Sequence, residues 1–230
     1  MNAFFVTATG TGIGKTFVTA ALTHQWRADG FAVRAFKPVV TGWGSEPLAT
    51  SDPGVLLDAM GRTPTAAEIE WIAPVRFAAP LAPALAARRE GRTLNFAALL
   101  DLCAAARNGA EDILLIEGVG GVMVPLAGRQ TVLDWMGALE MPVILVAGSY
   151  LGTLSHTLSA LEVLRTRMLS CVAIVISETP QSSVSLSDTV SQLREQVVDC
   201  PVIALPRASD WRAAAALATH IMPPKNPNRG

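Results

Sequence analysis

Short runs of consecutive aliphatic residues recur along the chain, and each run ends in glycine, proline or a polar residue. These runs predict buried β-strands over residues 3–7, 32–36, 113–116, 143–147, 172–176 and 202–205. Segments with helical spacing lie between them and predict helices over residues 15–29, 153–167 and 186–198. Apolar strands without polar alternation, separated by helices, are typical of a parallel sheet flanked by helices on both faces. The pattern therefore predicts an α/β fold.

The segment from residue 41 to residue 107 does not follow this alternation. It contains six prolines and no clear strand, and an alanine-rich stretch predicts one helix near residues 94–107. We interpret the segment as an irregular, partly helical excursion from the sheet and not as a second domain. Residues 1–222 are accordingly predicted to form one domain, and the polar, proline-rich residues 223–230 a frayed tail.

Composition narrows the range of functions. The 230 residues carry a net charge of −1, with 50% hydrophobic and 16% charged positions. The near-neutral charge argues against a nucleic-acid-binding surface, and the hydrophobic share excludes wholesale disorder. The three cysteines form no CxxC pair, which argues against a disulfide framework or a zinc site. With no signal-peptide pattern and no apolar stretch approaching about 20 residues, we expect a cytoplasmic protein without a membrane segment.

A glycine-rich turn joins the first predicted strand to the first predicted helix and consists of Gly10-Thr11-Gly12-Ile13-Gly14-Lys15-Thr16. Glycine lets the backbone turn its N–H groups inward, and these groups attract phosphate oxygens together with the helix N-terminus. Lys15 would reach the β- and γ-phosphates, and the Thr16 hydroxyl would ligate Mg²⁺. Position 9 is threonine where a strict Walker A motif has glycine, so a dinucleotide-type turn and a plain turn stay as alternatives. The Gly-Lys-Thr ending favours a nucleoside triphosphate.

Further charged residues stand at the ends of predicted strands. Lys37 follows the second strand, and Glu117 ends the most aliphatic one, just before Gly118-Val119-Gly120-Gly121. Because loops after parallel strands share one edge of the sheet, both side chains are predicted to lie near the glycine-rich turn. Lys37 would supply a second ammonium and Glu117 a Mg²⁺ ligand, while a surface lysine and a solvated carboxylate are the plainer alternatives. Asp52 is a weaker candidate, since it would also serve as a helix cap.

The order and spacing of several motifs carry a family resemblance. They are residues 5–7, 11–16 (Thr-Gly-Ile-Gly-Lys-Thr), 37–42 (Lys-Pro-Val-Val-Thr-Gly), 51–52 (Ser-Asp), 117–121 (Glu-Gly-Val-Gly-Gly), 142–146 and 151–156 (Leu-Gly-Thr-Leu-Ser-His). In these motifs the chain resembles the dethiobiotin synthetase family over roughly residues 1–180. The motifs at 37–42 and 117–121 are together more specific than the phosphate loop at 11–16.

The resemblance implies a P-loop NTPase-type parallel sheet and an ATP-dependent cyclo-ligase of biotin biosynthesis. Such an enzyme converts 7,8-diaminononanoate and CO₂ to dethiobiotin through a carbamate and a carbamic-phosphoric anhydride, and releases ADP and phosphate. The resemblance also implies Mg²⁺ as cofactor, ATP as co-substrate, small-molecule substrates and a homodimer.

Roles for individual residues follow from the same resemblance. The implied catalytic residues are Lys37, Lys15 and Thr11. The implied Mg²⁺ ligands are Thr16, Asp52 and Glu117. The implied ATP contacts are Gly12, Ile13, Gly14, Lys15, Thr16, Phe17, Ser177 and Pro206. The implied substrate contacts are Thr41, Gly120, Leu151, Gly152 and Ser155, of which the last three would bind the tail carboxylate across a dimer interface.

Four positions depart from the family's pattern. Ala8 stands where the family usually has glycine, which is accommodated if its φ stays negative. Gly10 and Gly12 replace more polar residues, so we expect a more flexible loop. Ser177 stands where an asparagine reads adenine, and a hydroxyl cannot supply the paired donor and acceptor of an amide. We therefore expect looser discrimination among nucleoside triphosphates.

Two other enzyme and ATPase classes share this phosphate-loop architecture. A cobyrinate-type amidoligase would normally carry a glutaminase domain with a catalytic cysteine, for which 230 residues leave no room. A partitioning or positioning ATPase, which acts as a nucleotide-dependent switch, carries a signature lysine near the start of the loop, where this chain has Gly10. Formation of dethiobiotin would distinguish a synthetase from both.

Overall fold

Six parallel strands form the central sheet of the protein, whose computed structural model describes residues 1–221. The strands are β1 (Asn2–Ala8), β2 (Val33–Phe36), β5 (Ile113–Glu117), β8 (Val143–Gly148), β9 (Cys171–Ser177) and β10 (Val202–Leu205). Across the sheet they run β10-β9-β8-β1-β5-β2, and every neighbouring pair is parallel. The predicted α/β sheet is confirmed, and each predicted strand matches its observed ends to within one residue.

Helices cover both faces of this sheet. Within residues 1–221 they are α1 (Lys15–Ala28), α2 (Asp52–Ala59), α3 (Ala66–Ile72), α4 (Pro83–Arg89), α5 (Phe96–Arg107), α6 (Val132–Leu139), α7 (Thr153–Thr166) and α8 (Leu186–Gln196), with a short 3₁₀ turn at Trp211–Ala213. Side chains of β1 alternate between the two cores. Phe5 packs edge-on against Trp135 of α6, and Phe4 stacks on Trp26 of α1. Both faces of the central strand are therefore buried, which explains its continuous apolar sequence.

The segment from 41 to 107 differs from its prediction in two respects, the first being three helices, α2, α3 and α4, that precede the predicted one. It was predicted to lack strands, yet β4 (Val75–Phe77) pairs in parallel with β3 (Val39–Thr41). Each strand has only three residues and follows a proline, so neither produces an aliphatic run long enough to recognise. The predicted helix near 94–107 begins two residues later as α5, where the Asn95 side chain accepts a hydrogen bond from the Ala98 N–H.

The hairpin and helix after β5 carried no aliphatic run and were not predicted. β6 (Pro125–Ala127) pairs antiparallel with β7 (Gln130–Thr131), and α6 follows directly. Thr131 and Asp134 form a capping box that fixes the start of this helix. The predicted tail, residues 223–230, lies outside the described residues.

The strand order creates a crevice at the edge of the sheet where the carboxyl ends of the strands lie. β1 lies between β5 and β8: the chain crosses from β1 to β2 on one side and later from β5 to β8 on the other, so a crevice opens at the carboxyl ends of the strands. The loops that follow β1, β2, β5 and β9 all begin at this edge. None of the helices within residues 1–221 is long and apolar enough to span a membrane.

Candidate active site

The loop after β1 turns on two glycines that adopt left-handed backbone conformations. Gly12 has φ 72° and Gly14 has φ 101°, and Lys15 is the first residue of α1. A Cβ atom on Gly14 would lie 3.0 Å from the Ser177 hydroxyl, so a side chain there is excluded both by φ and by space. Ala8 does not have a positive φ, which meets the condition for an alanine at that position.

Lys15 connects this loop to the glycine-rich loop after β5. Its Nζ donates to the carbonyl oxygens of Gly10 at 3.2 Å and Gly120 at 2.9 Å. The side chain is buried, and burial together with the nearby Lys37 ammonium lowers its pKa to about 8. The ammonium is held by backbone dipoles and not by a carboxylate, so it is electrostatically undersatisfied and suited to a phosphate oxygen.

Lys37 stands just after β2 and is held by two carboxylates. Its Nζ lies 2.8 Å from Asp52 Oδ2 and also forms an ion pair with Glu117 Oε1. Lys37 and Glu117 are both buried. Burial opposes the charged form of Lys37, but Glu117 and Asp52 outweigh it and raise the pKa of Lys37 above its usual value. Lys37 is therefore a fixed positive charge and not a proton acceptor.

The candidate metal ligands belong to the same network. The Thr16 hydroxyl donates to Glu117 Oε1 at 2.7 Å. Asp52 opens α2, after Ser51 caps the helix by accepting from the Gly54 N–H at 3.3 Å. Burial favours the neutral acid at Asp52, but Lys37 outweighs it and lowers the pKa of this carboxyl. Asp52 therefore stays ionised beside the Lys37 ammonium.

The second carboxylate oxygen of Glu117 provides a test of fit for a cation. Glu117 Oε2 is buried and has no hydrogen-bond partner within the described part of the chain. An unsatisfied buried carboxylate oxygen beside a hydroxyl and a half-exposed carboxylate matches the oxygen ligands that Mg²⁺ prefers. Within residues 1–221 no three His, Cys, Asp or Glu side chains are placed to hold a metal ion together, so the site would rely on two carboxylates, Thr16 and the phosphates of a nucleotide.

Two cavities meet at the phosphate loop. One of about 340 Å³ is lined by most of the predicted catalytic, metal and substrate residues, namely Thr11, Lys15, Thr16, Lys37, Thr41, Asp52 and Gly120. Its remaining lining residues are Gly12, Gly14, Val40 and Val119. The other, also about 340 Å³, is lined by the predicted nucleotide contacts Gly12, Ile13, Gly14, Phe17, Ser177 and Pro206, together with neighbouring residues. Gly12 and Gly14 line both, so the two cavities adjoin at the phosphate loop.

Three predicted substrate residues lie elsewhere. Leu151, Gly152 and Ser155 line neither of these two cavities and stand at the start of α7. Gly152 precedes α7 in a left-handed conformation, without a side-chain cap. Leu151 is 81% exposed. The structure of one chain therefore does not bring these residues to the other candidate site residues.

Two polar residues of the second cavity were missed by the sequence analysis. The Glu178 N–H donates to the Leu205 carbonyl at 3.0 Å, and the Arg207 N–H donates to Glu178 Oε2 at 2.8 Å. This pair joins the loops after β9 and β10 and lines the cavity beside Ser177. Both residues follow predicted strands, so the same strand-end argument that selected Glu117 would have found them.

Solved structures with a similar fold are P-loop proteins. A MinC:MinD cell division complex from Aquifex aeolicus is matched with a TM-score of 0.52 and 13% identity, over 91% of this chain and 82% of that chain. A ParA family ATPase from Chlorobium tepidum is matched with a TM-score of 0.51 and 13% identity, over 90% of this chain and 85% of that chain. At this identity the likeness shows the fold alone, and it confirms the predicted P-loop NTPase-type sheet.

Sequence relatives are much closer. A family model described as an AAA domain matches residues 2–211. The ATP-dependent dethiobiotin synthetase of Phenylobacterium zucineum is 45% identical over 94% of this chain and 94% of its own length. The enzyme of the same name from Caulobacter vibrioides is 46% identical over 94% of this chain and 97% of its own length. The chain belongs to the ATP-dependent dethiobiotin synthetase family.

Proposed function

We propose that this chain closes the ureido ring of dethiobiotin from 7,8-diaminononanoate and CO₂, with ATP as co-substrate. The observation that carries the proposal is the convergence of two buried ammonium groups, Lys15 and Lys37, with two carboxylates, Asp52 and Glu117, beside a phosphate loop. In this reaction a substrate amine adds to CO₂ and gives a carbamate. ATP phosphorylates a carbamate oxygen, the second amine attacks the carbonyl carbon, and phosphate leaves.

Lys37 and Lys15 supply positive charge at different stages of this sequence. Lys37 holds the carbamate oxygens, because its raised pKa keeps it an ammonium throughout. Lys15 leaves the carbonyls of Gly10 and Gly120 for the transferring phosphoryl group, whose charge is a stronger partner than two peptide dipoles. Thr11, at the cavity wall, donates to the carbamate or to a phosphate oxygen. No covalent enzyme intermediate is required.

Thr16, Asp52 and Glu117 are the residues we assign to Mg²⁺. The unsatisfied Oε2 atom of Glu117 supports this assignment. A Mg²⁺ ion held by these residues would neutralise charge on the phosphate oxygens of ATP. Thr16 orients Glu117 by donating to its Oε1 atom, and Asp52 and Glu117 hold Lys37 in the cavity beside the phosphate loop.

We assign the nucleoside to the second cavity, in contact with Gly12, Ile13, Gly14, Phe17, Ser177 and Pro206. Ser177 lies directly against the phosphate loop and offers one hydroxyl to a base. We predict that CTP and GTP support turnover with kcat/KM within about tenfold of ATP, because one hydrogen bond contributes only about 1 kcal/mol. Steady-state kinetics with the three nucleotides tests this, and a preference for ATP of a hundredfold or more would contradict it.

The diamine is assigned to Thr41 and Gly120 at its reactive end. Its tail carboxylate is assigned to Leu151, Gly152 and Ser155 of a second copy of the chain, where the N–H groups at the start of α7 attract an anion. The exposure of Leu151 supports an interface at this point. We further propose that the enzyme is a cytoplasmic homodimer and that residues 1–222 form one synthetase domain.

The decisive experiment combines the purified protein with diaminononanoate, bicarbonate, Mg²⁺ and ATP, and detects dethiobiotin by mass spectrometry. Phosphate release should depend on the diamine. The Lys37→Met variant should bind ATP within about threefold of the parent and lose turnover by about a hundredfold or more. Arg129→Met is the matched control, since Arg129 is an exposed cation in the β6–β7 turn, and it should keep full activity. Phosphate release without dethiobiotin would refute the proposal.

A further inference from the structure

Two cysteine thiols face each other at the amino-terminal edge of the sheet, opposite the candidate active site. Cys171 is the first residue of β9, and Cys200 stands two residues before β10. Their Sγ atoms are 3.6 Å apart. Ser177 and Leu205, which line the second cavity, stand at the carboxyl ends of the same two strands.

The backbone geometry already suits a covalent bond between these sulfurs. β9 and β10 are parallel, with Ile174 opposite Val202, so the two cysteines occupy neighbouring backbone segments. Adjacent strands lie about 5 Å apart, which is within the Cα separation that a disulfide spans. Closing the gap between Sγ atoms at 3.6 Å requires side-chain rotation and a small approach, without a change of topology.

The two thiols also differ in their surroundings. The hydrogen bond with Cys171 lowers the pKa of Cys200, and the pKa of Cys171 is raised by the same contact and by burial. The thiolate is the form of a cysteine that reacts with oxidants. Cys200 lines a cavity of about 620 Å³ beside Val197 and His220, and Cys171 is only partly buried. A small oxidant has a route to the pair.

We propose that Cys171 and Cys200 form a reversible intramolecular disulfide when the protein meets a hydroperoxide. The Cys200 thiolate attacks the peroxide oxygen, breaks the O–O bond and becomes a sulfenic acid as hydrogen peroxide is reduced to water. The Cys171 sulfur then attacks the Cys200 sulfur, its proton leaves with the hydroxyl as a second water, and the S–S bond forms. Two thiols are oxidised and one peroxide is reduced.

The cross-link would act on an edge strand. β10 is the last strand of the sheet and pairs only with β9 within the described residues. The disulfide would close a loop of about 30 residues that contains α8, and it would restrict the unfolded chain accordingly. We expect the melting temperature of the oxidised protein to exceed that of the reduced protein by about 5 °C or more. A reductant such as dithiothreitol should reverse the shift.

Stoichiometric hydrogen peroxide applied to the reduced full-length protein tests the proposal. We expect two of the three thiols to disappear, and mass spectrometry of a non-reduced digest to show a Cys171–Cys200 peptide pair. Cys103→Ala should form the same pair, because Cys103 is buried on α5 and burial raises the pKa of its thiol to about 12. Cys171→Ser and Cys200→Ser should form no intramolecular disulfide and show no peroxide-dependent rise in melting temperature.

Three results would overturn the proposal. They are retention of all three thiols, oxidation of Cys200 to sulfinic acid without a cross-link, and a disulfide that involves Cys103 or joins two chains. Reduced melting temperatures of the serine variants close to that of the parent show that the variants fold. If a serine variant fails to fold, peptide mapping of the parent and Cys103→Ala proteins still shows whether the Cys171–Cys200 disulfide forms or one of the three contradicting results occurs.

Discussion

At the scale of single residues, the Lys37 ammonium compensates the same carboxylates that we assign to Mg²⁺. It pairs with Asp52 and Glu117 simultaneously and is buried between them. A divalent cation that binds these carboxylates must therefore share them with Lys37. Binding of the metal-nucleotide would weaken the hold on the ammonium and leave it free for the carbamate.

The first prediction measures this competition directly. Lys37→Met should raise the affinity for Mn²⁺, without nucleotide, by about tenfold, because two carboxylates lose their compensating charge. Titration followed by Mn²⁺ electron paramagnetic resonance gives the dissociation constant. Lys15→Met is the matched control, since Lys15 is also a buried cation of this cavity but donates to carbonyls. Equal gains in both variants would indicate only a general change in electrostatic potential.

The second prediction concerns Lys15 and pH. Its pKa is about 8 in the folded protein against 10.5 for an ordinary lysine. Between these values the unfolded chain binds more protons, so the free energy of unfolding rises with pH. Relative to Lys15→Met, the parent should gain up to about 3 kcal/mol between pH 7 and pH 10. Denaturant titrations of both proteins at these pH values measure the difference, and a constant or falling difference contradicts the prediction.

The residues of the site differ in how far sequence could reveal them. Lys15 and Thr16 follow from the phosphate-loop motif, and Lys37 and Glu117 from their places after apolar strands. The strand-end argument also applies to Glu178 and Arg207, but neither belongs to a known motif, so their contact with each other appeared only in three dimensions. The sharing of Glu117 between Thr16 and Lys37 has no local sequence signal, because it joins three separate segments.

At the scale of elements, α2 positions Asp52 through a close backbone contact. A Cβ atom on Gly54 would lie 1.8 Å from the Leu48 carbonyl oxygen, so only glycine lets the preceding loop pack against the helix. That loop leads into Ser51, which caps the helix, and Asp52, which pairs with Lys37. The position of Asp52, a metal-ligand candidate, therefore depends on a glycine at position 54.

The third prediction uses this contact. Gly54→Ala should lower the free energy of unfolding by about 2 kcal/mol or more, since the loop must move, and should weaken Mn²⁺-nucleotide binding. Gly137→Ala is the control: Gly137 lies within α6, and nothing stands within 4 Å of its added Cβ. That variant should gain about 0.5–1 kcal/mol from helix propensity. Chemical denaturation compares them, and equal stability of both variants would exclude the contact as a constraint.

The elements were predictable where burial is uniform along the chain. Strands of the central sheet are apolar on both faces, and their aliphatic runs located them to within one residue. β3 and β4 escaped detection because each is three residues long and is stabilised by the other across about 35 positions. Their pairing is a long-range contact, so the hydrophobic pattern of either segment alone does not predict it.

At the scale of the whole molecule, the start of α7, which we assign to the tail carboxylate of the diamine, lies apart from the other candidate site residues of the same chain. The fourth prediction is that the protein sediments at twice the 24.2 kDa mass of one chain. Leu151→Asp should shift it toward monomer and raise the KM for the diamine by about tenfold or more, while the dissociation constant for ATP stays within about threefold. Sedimentation velocity and steady-state kinetics measure these values. A monomeric parent with full activity would contradict the prediction.

The two cavities share the glycines of the phosphate loop, and this arrangement bears on inhibitor design. Gly12 and Gly14 form the wall that both cavities share, so a nucleoside and a diamine would be separated by little more than the loop itself. A single compound that links mimics of both would need only a short anionic bridge. Tethering would give the second fragment a high effective concentration once the first is bound. Affinity would then come from joining two modest ligands, without new protein contacts.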